Sequence, residues 1–348
     1  MRCCRPDAAL LPMRRLLIFW LFIACSLPEI AGAGQAYPFS ISAERSGAGS
    51  DLIARNRGPA PVSVRLILSA MDNVSTTQPL PVHAVVRPYS EVLLLRIRPT
   101  YPGRGLRFST QSTFSVGSFH AIPDPRATYR LPFANGRSFV ISQASGGPLT
   151  THTTDDSEYA VDFTMPENTP VVAARDGVVI ETEAANRFGG NDKVLLAMAN
   201  YVRILHADET VATYAHLAPG GVRVRPGDKI RAGTVIGLSG ATGYTSGPHL
   251  HFVVQKLVRR NEGFAMVSVP FRFFVGDPPY VFEPKFRQLA TADYATPGKA
   301  PPLADAPQEV VLGDDERVFQ ARSPRPGGQR ARGSNPLVGQ PPPGGTGQ

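Results

Sequence analysis

Between Tyr37 and residue 127, apolar and polar residues alternate in short runs broken by Gly, Pro and Asn. In Val62-Ser63-Val64-Arg65-Leu66 every second side chain is apolar, the pattern of a strand with one buried face. The segment 92–97 (VLLLRI) is a fuller apolar run, suited to the middle of a sheet. Several such segments predict a β-sandwich. A second series of strands is expected at 178–180, 194–197, 201–205, 211–214, 235–236 and 250–254, with reversals at Asp176-Gly177, Pro226-Gly227-Asp228 and Ala232-Gly233. No long stretch shows the helical period. The expected class is therefore all-β: a sandwich-like accessory domain at 37–127, then a β-sheet domain at 128–280.

The two ends read differently. Arg14-Arg15 precede the uncharged run 16–27, Pro28 and Ala31-Gly32-Ala33, the layout of a cleaved secretory signal over 1–33. Twelve apolar residues fall short of the roughly 20 a spanning helix needs, so an uncleaved anchor, or a lipoprotein cut before Cys25, is the weaker alternative. Export to the periplasm or cell exterior is expected. Cys3, Cys4 and Cys25 are the three cysteines and all lie in this segment, so the mature chain can form no disulfide. At the other end, 297–348 is rich in Pro and Gly with no aromatic after Phe319, and is expected to be a disordered tail.

Composition narrows the class further. With 33 Gly, 34 Pro and 18% charged residues, long bundles and coiled coils are excluded. The formal charge of +8 falls to +6 on losing 1–33, which holds four arginines against Asp7 and Glu29. No basic helix or aromatic–basic interleave gives the footprint of a nucleic-acid binder.

Five of the seven histidines, His152, His206, His216, His249 and His251, fall within 128–280. In Ser246-Gly247-Pro248-His249-Leu250-His251-Phe252 two of them are separated by one residue, so on a strand they share a face. Imidazole suits Zn²⁺, whose catalytic sites take three protein ligands and leave a position for water. Asp162 stands in the otherwise apolar Tyr159-Ala160-Val161-Asp162-Phe163, where a buried carboxylate needs a partner or a metal.

These residues carry a resemblance. Residues 147–256 are similar to the lysostaphin and LytM-like zinc metallopeptidases through D-F-x-x-P-x-x-T-P-V from Asp162, A-A-R-D-G-V-V from Ala173, T-Y-A-H-L from Thr213 and S-G-P-H-L-H-F from Ser246. The resemblance implies a LytM-type β-sheet peptidase domain, with Zn²⁺ held by Asp162 and His251, and with His216 and His249 handling protons and orienting the attacking water. Tyr214, two residues before His216, would share its face on a strand and either donate to the oxyanion or pack beneath the site. The family places a histidine four residues before the aspartate; here that position is Glu158, and Ala160 stands where a glycine is usual. His152, ten residues before Asp162, is taken as the displaced ligand, against Glu158 or an empty position. Glu158 would otherwise orient an imidazole, and His206 is expected to be structural.

The implied function is a secreted zinc metalloendopeptidase that cuts peptide bonds in peptidoglycan stem peptides or cross-links. The alternative is an inactive relative that binds the cell wall or activates an amidase. A carrier-domain likeness at Pro226–Gly237 lacks a displayed lysine. The expected partners are a peptidoglycan peptide and, through 37–127, a cell-envelope protein. Specificity is expected in loops such as 185–192 and 259–264; the bond cut and the oligomeric state are not readable.

Overall fold

The computed structural model describes residues 37–294 and the short strand Ala304–Asp305. The signal expected at 1–33 and nearly all of the tail expected at 297–348 lie outside the described residues. Among the described residues no helix is long and apolar enough to cross a membrane.

Seven strands make two facing sheets. One runs Phe39–Ser46, Gly49–Asn56, Ser90–Pro99, Val74–Thr76; the other runs Val82–Val86, Val62–Asp72, Arg107–Val116. Alternation is the cause: Val64, Leu66 and Leu68 turn inward to meet Leu52, Ala54, Leu95 and Ile97, each valine, leucine or isoleucine contributing about 1.5–3 kcal/mol when fully buried. The VLLLRI run does lie inside its sheet, between two strands. A register shift opposite Leu52/Ile53 lets Leu94 and Leu95 both be buried while Leu93 stays 40% exposed, as a bulge re-aims neighbouring side chains.

The larger sheet has ten strands, in the order Lys229–Ile230, Gly177–Glu183, Tyr201–Leu205, Val211–Ala215, His249–Arg260, Val161–Thr164, Ser138–Gln143, Gln288–Thr291 and Ala304–Asp305, with Gly263–Ser268 pairing back onto His249–Arg260. Phe133, Phe163, Tyr214, Phe252 and Phe273 fill the core against one face. Tyr214 and Phe252 are directly opposed across their strands, and so are Ala215 and His251, so the sheet separates an aromatic face from a histidine face.

One expected strand is absent. Residues 194–197 lie in the 3-10 segment Lys193–Ala197, capped by the Asp192 side chain, which accepts the Val194 N–H. Their apolar character looked like a buried strand, yet Val194 and Leu196 are exposed and no strand pairs with them.

The sandwich packs on the large sheet through Ala60, Ile180 and Val211, flanked by Tyr37, Val116, Leu205 and Met266. Phe119 stacks on Phe264, ring centroids 5.6 Å apart. This junction takes the far end of the hairpin that His249 begins. At about 3.3 Å per residue, eight residues place Arg259 roughly 26 Å along the strand from His251.

Candidate metal centre

The floor of the site is built by register. Val161–Thr164 runs antiparallel to the start of His249–Arg260, placing Asp162 opposite His251 and Thr164 opposite His249. Asp162 is buried. Its Oδ1 lies 3.0 Å from His251 Nδ1, and its Oδ2 lies 3.3 Å from His152 Nε2 and 3.7 Å from His249 Nε2. His152, Asp162 and His251 each offer one ligand atom, all within 4.8 Å of one another. Bonds of about 2.0–2.1 Å to a tetrahedral ion would leave neighbouring ligand atoms about 3.3 Å apart, close to the Asp162–His152 and Asp162–His251 separations.

Main-chain carbonyls fix the imidazoles. His152 Nδ1 faces Ala160 O at 3.3 Å, His216 Nδ1 faces Thr242 O at 2.7 Å, and His249 Nδ1 faces Gly247 O at 2.9 Å. A carbonyl only accepts, so each Nδ1 carries a proton and each ring turns its Nε2 away from the main chain. For His152 this turns Nε2 towards Asp162 Oδ2, so that the ring nitrogen and the carboxylate face the same point of the groove floor. The rings of His216 and His249 stand 4.5 Å apart.

Burial alone would raise the Asp162 carboxyl, but the His152 and His249 imidazoles, with hydrogen bonds from His152 and His251, hold it well below the usual carboxylate range. Burial, helped by His249 and His251, pushes the His216 imidazole down to about 3. His251 is lowered too, chiefly by burial.

Three expectations need correction. Tyr214 does not face the site: it is fully buried in the aromatic core, and its hydroxyl oxygen accepts the Ala174 N–H at 2.7 Å. Parity assumed that the strand continues through His216, but it ends at Ala215, and His216 has φ of +61°. That left-handed turn, costing about 1–2 kcal/mol for a non-glycine residue, swings His216 to the other side of the sheet. Glu158 is exposed and its carboxylate has no hydrogen bond or ion pair among the described residues, so it orients no imidazole. The tip 259–264 packs on the sandwich rather than on the groove. His206 is buried outside the cluster, its Nδ1–H donating to Asp176 O at 2.7 Å.

A groove of about 760 Å³ contains His152, Asp162, His216, His249 and His251, with Lys193, Leu196 and Tyr244 on one wall and Thr154 and Asp156 on another. Thr242 and Asn200 were not legible as site residues. Asn200 is buried and its amide reaches Asn186 O, Leu217 O and Ala218 O, while its N–H donates to Thr242 Oγ1. Together they hold the turn after His216 against the groove wall. Their contacts are made to main chain far away in sequence, and no local pattern announces them.

Residues 156–263 match peptidase family M23. The chain carries an M23 peptidase domain. The M23 match begins at Asp156, so His152 precedes it. Glycyl-glycine endopeptidase ALE-1 of Staphylococcus capitis is 39% identical over 106 residues, 30% of this chain and 26% of ALE-1. Peptidoglycan DD-endopeptidase ShyA of Vibrio cholerae is 41% identical over 91 residues, 26% of this chain and 18% of ShyA. The solved catalytic domain of lysostaphin from Staphylococcus simulans is 30% identical, over 37% of this chain and 86% of that domain, with a TM-score of 0.27. The chain spans about a quarter of the length of the curated relatives it matches.

Proposed function

We propose that the M23 domain is a zinc metalloendopeptidase that hydrolyses peptide bonds of peptidoglycan, exported by a cleaved signal at 1–33. The observation that carries this reading is the convergence of His152, Asp162 and His251 on one point of a groove floor, with two further imidazoles beside it. The names of relatives such as ALE-1 and ShyA support a cell-wall peptide as substrate.

His152 Nε2, one Asp162 oxygen and His251 would hold the ion. Zinc bound there supplies an acidified water and a polarised scissile carbonyl at neutral pH. The protein's own groups do the rest. His216 and His249, each with Nδ1–H anchored on a carbonyl, present Nε2 to the groove and move protons between the attacking water and the leaving amine, help typically worth about 10²–10⁴ in rate. The Asp162 charge keeps the neighbouring imidazoles oriented. Five imidazole and carboxylate positions standing together favour an enzyme over a wall-binding or amidase-activating relative. The experiment is zinc quantitation with digestion of purified sacculi by wild type, His152→Ala and Glu158→Ala. In His152→Ala zinc should bind only weakly, through Asp162 and His251, and digestion should be lost, while Glu158→Ala keeps both; the reverse pattern would move the ligand to Glu158.

A further inference from the structure

The sequence between His152 and Asp162 leaves nine residues to be ordered before His152 can meet the other two ligands. Residues 153–156 of this excursion are exposed and belong to no strand. An untethered ligand would lose chain entropy each time an ion bound. The loop is tethered at both ends. At its start the Gln143 amide oxygen, buried beside Asp162 in the sheet register, accepts the Thr151 N–H at 2.6 Å and the Thr151 hydroxyl at 3.0 Å. Farther on, the buried Gln255 amide donates to Asp156 O at 2.8 Å. Ser268, opposite Gln255 in the hairpin, donates its N–H and hydroxyl to Asp155 O at 2.7 and 2.9 Å and accepts the Tyr159 N–H at 3.3 Å.

We propose that Gln143 and Gln255 are positioning residues that pre-seat His152 for the metal, Gln143 by fixing the residue next to it and Gln255 by fixing the loop beyond it. The proposal rests on the reading of His152, Asp162 and His251 as metal ligands. Neither glutamine belongs to that ligand group, and the side chain of each bonds to the loop that carries His152. A metal site organised in this way does not need a histidine close to its aspartate in sequence; two strand-borne amides take over what short spacing would provide.

The test measures the affinity of the metal-free full chain for zinc alone, by competition with a chromophoric chelator. Wild type, Gln143→Met, Gln255→Met and Thr151→Val are compared, and each glutamine variant is repeated in a His152→Ala background. Loss of groups that orient a ligand typically weakens binding about 10–100-fold, and that range is expected for Gln143→Met. Gln255→Met and Thr151→Val, which remove one tether each, should lose about 3–10-fold on the same scale. With His152 removed, neither glutamine variant should weaken zinc further. Variants that bind as tightly as wild type overturn the proposal, and so does equal weakening with and without His152, which would mean action through Asp162. Wild type that takes up no zinc overturns the ligand reading itself. Thr151→Val deletes a single hydroxyl and keeps the comparison open if a glutamine variant does not fold.

Discussion

Mild acid should destabilise the fold through a histidine that has no part in the metal centre. His206 is buried, edge-on to the Tyr129 ring, and its Nε2 has no hydrogen-bond partner among the described residues. Burial, opposed by the hydrogen bond to Asp176 O, lowers its imidazole from 6.5 to about 4. The folded state therefore refuses a proton that the unfolded chain accepts. The sign follows: stability is full above pH 6.5, declines as the pH falls from 6.5 to 4, and declines no further from this group below that. At pH 5 the unfolded imidazole is nearly all protonated and the folded one mostly neutral, a difference of about 2 kcal/mol from this group alone. Urea unfolding followed by circular dichroism, with a chelator present to remove metal linkage, should be run at pH 7.5 and 5.0 on wild type and on His206→Gln, which keeps a donor for Asp176 O but does not titrate. Wild type should lose about 2 kcal/mol more than the variant over that interval. Parallel losses in the two proteins would refute the reasoning.

Other outcomes can be set down together. Asp162→Ala and His251→Ala should each abolish zinc uptake, whereas His216→Ala should keep zinc and lose turnover by about 10²–10⁴; metal analysis beside sacculus digestion separates them. Tyr214→Phe should cost about 1–3 kcal/mol of stability, because the Ala174 N–H is left unpaired, with turnover on sacculi unchanged; lost turnover at wild-type stability would return Tyr214 to the chemistry. Gly189→Ala should distort the groove wall, since a Cβ there would collide with the Ala241 carbonyl where Gly189–Gly190 pairs with Gly243–Tyr244; zinc uptake should persist while digestion falls, and unchanged digestion would show the wall to be dispensable.

Much of the fold was legible because strand alternation is local. Val62 to Leu66 announces its buried face in five residues, and the spacing of His249 and His251 fixes that they share one. Tyr214 was misread because parity holds only while a strand continues, and the left-handed turn at His216 uses no glycine to signal it. Residues 194–197 were misread for the opposite reason: apolar side chains need not be buried, and here Val194 and Leu196 are exposed, Leu196 on the groove wall. The groups that orient the imidazoles, Ala160, Thr242 and Gly247, act through carbonyls, which every residue possesses, so no side-chain pattern can mark them.

The junction between sandwich and sheet has a practical side. Cutting the chain near residue 127 to obtain the peptidase portion alone would uncover Ile180, Val211, Leu257, Met266 and Phe264, which the sandwich now shields. A strip of that kind invites self-association. Producing a soluble catalytic fragment therefore calls for polar replacements along that strip, and recoveries of shorter versions would report on their stickiness before they reported on their chemistry.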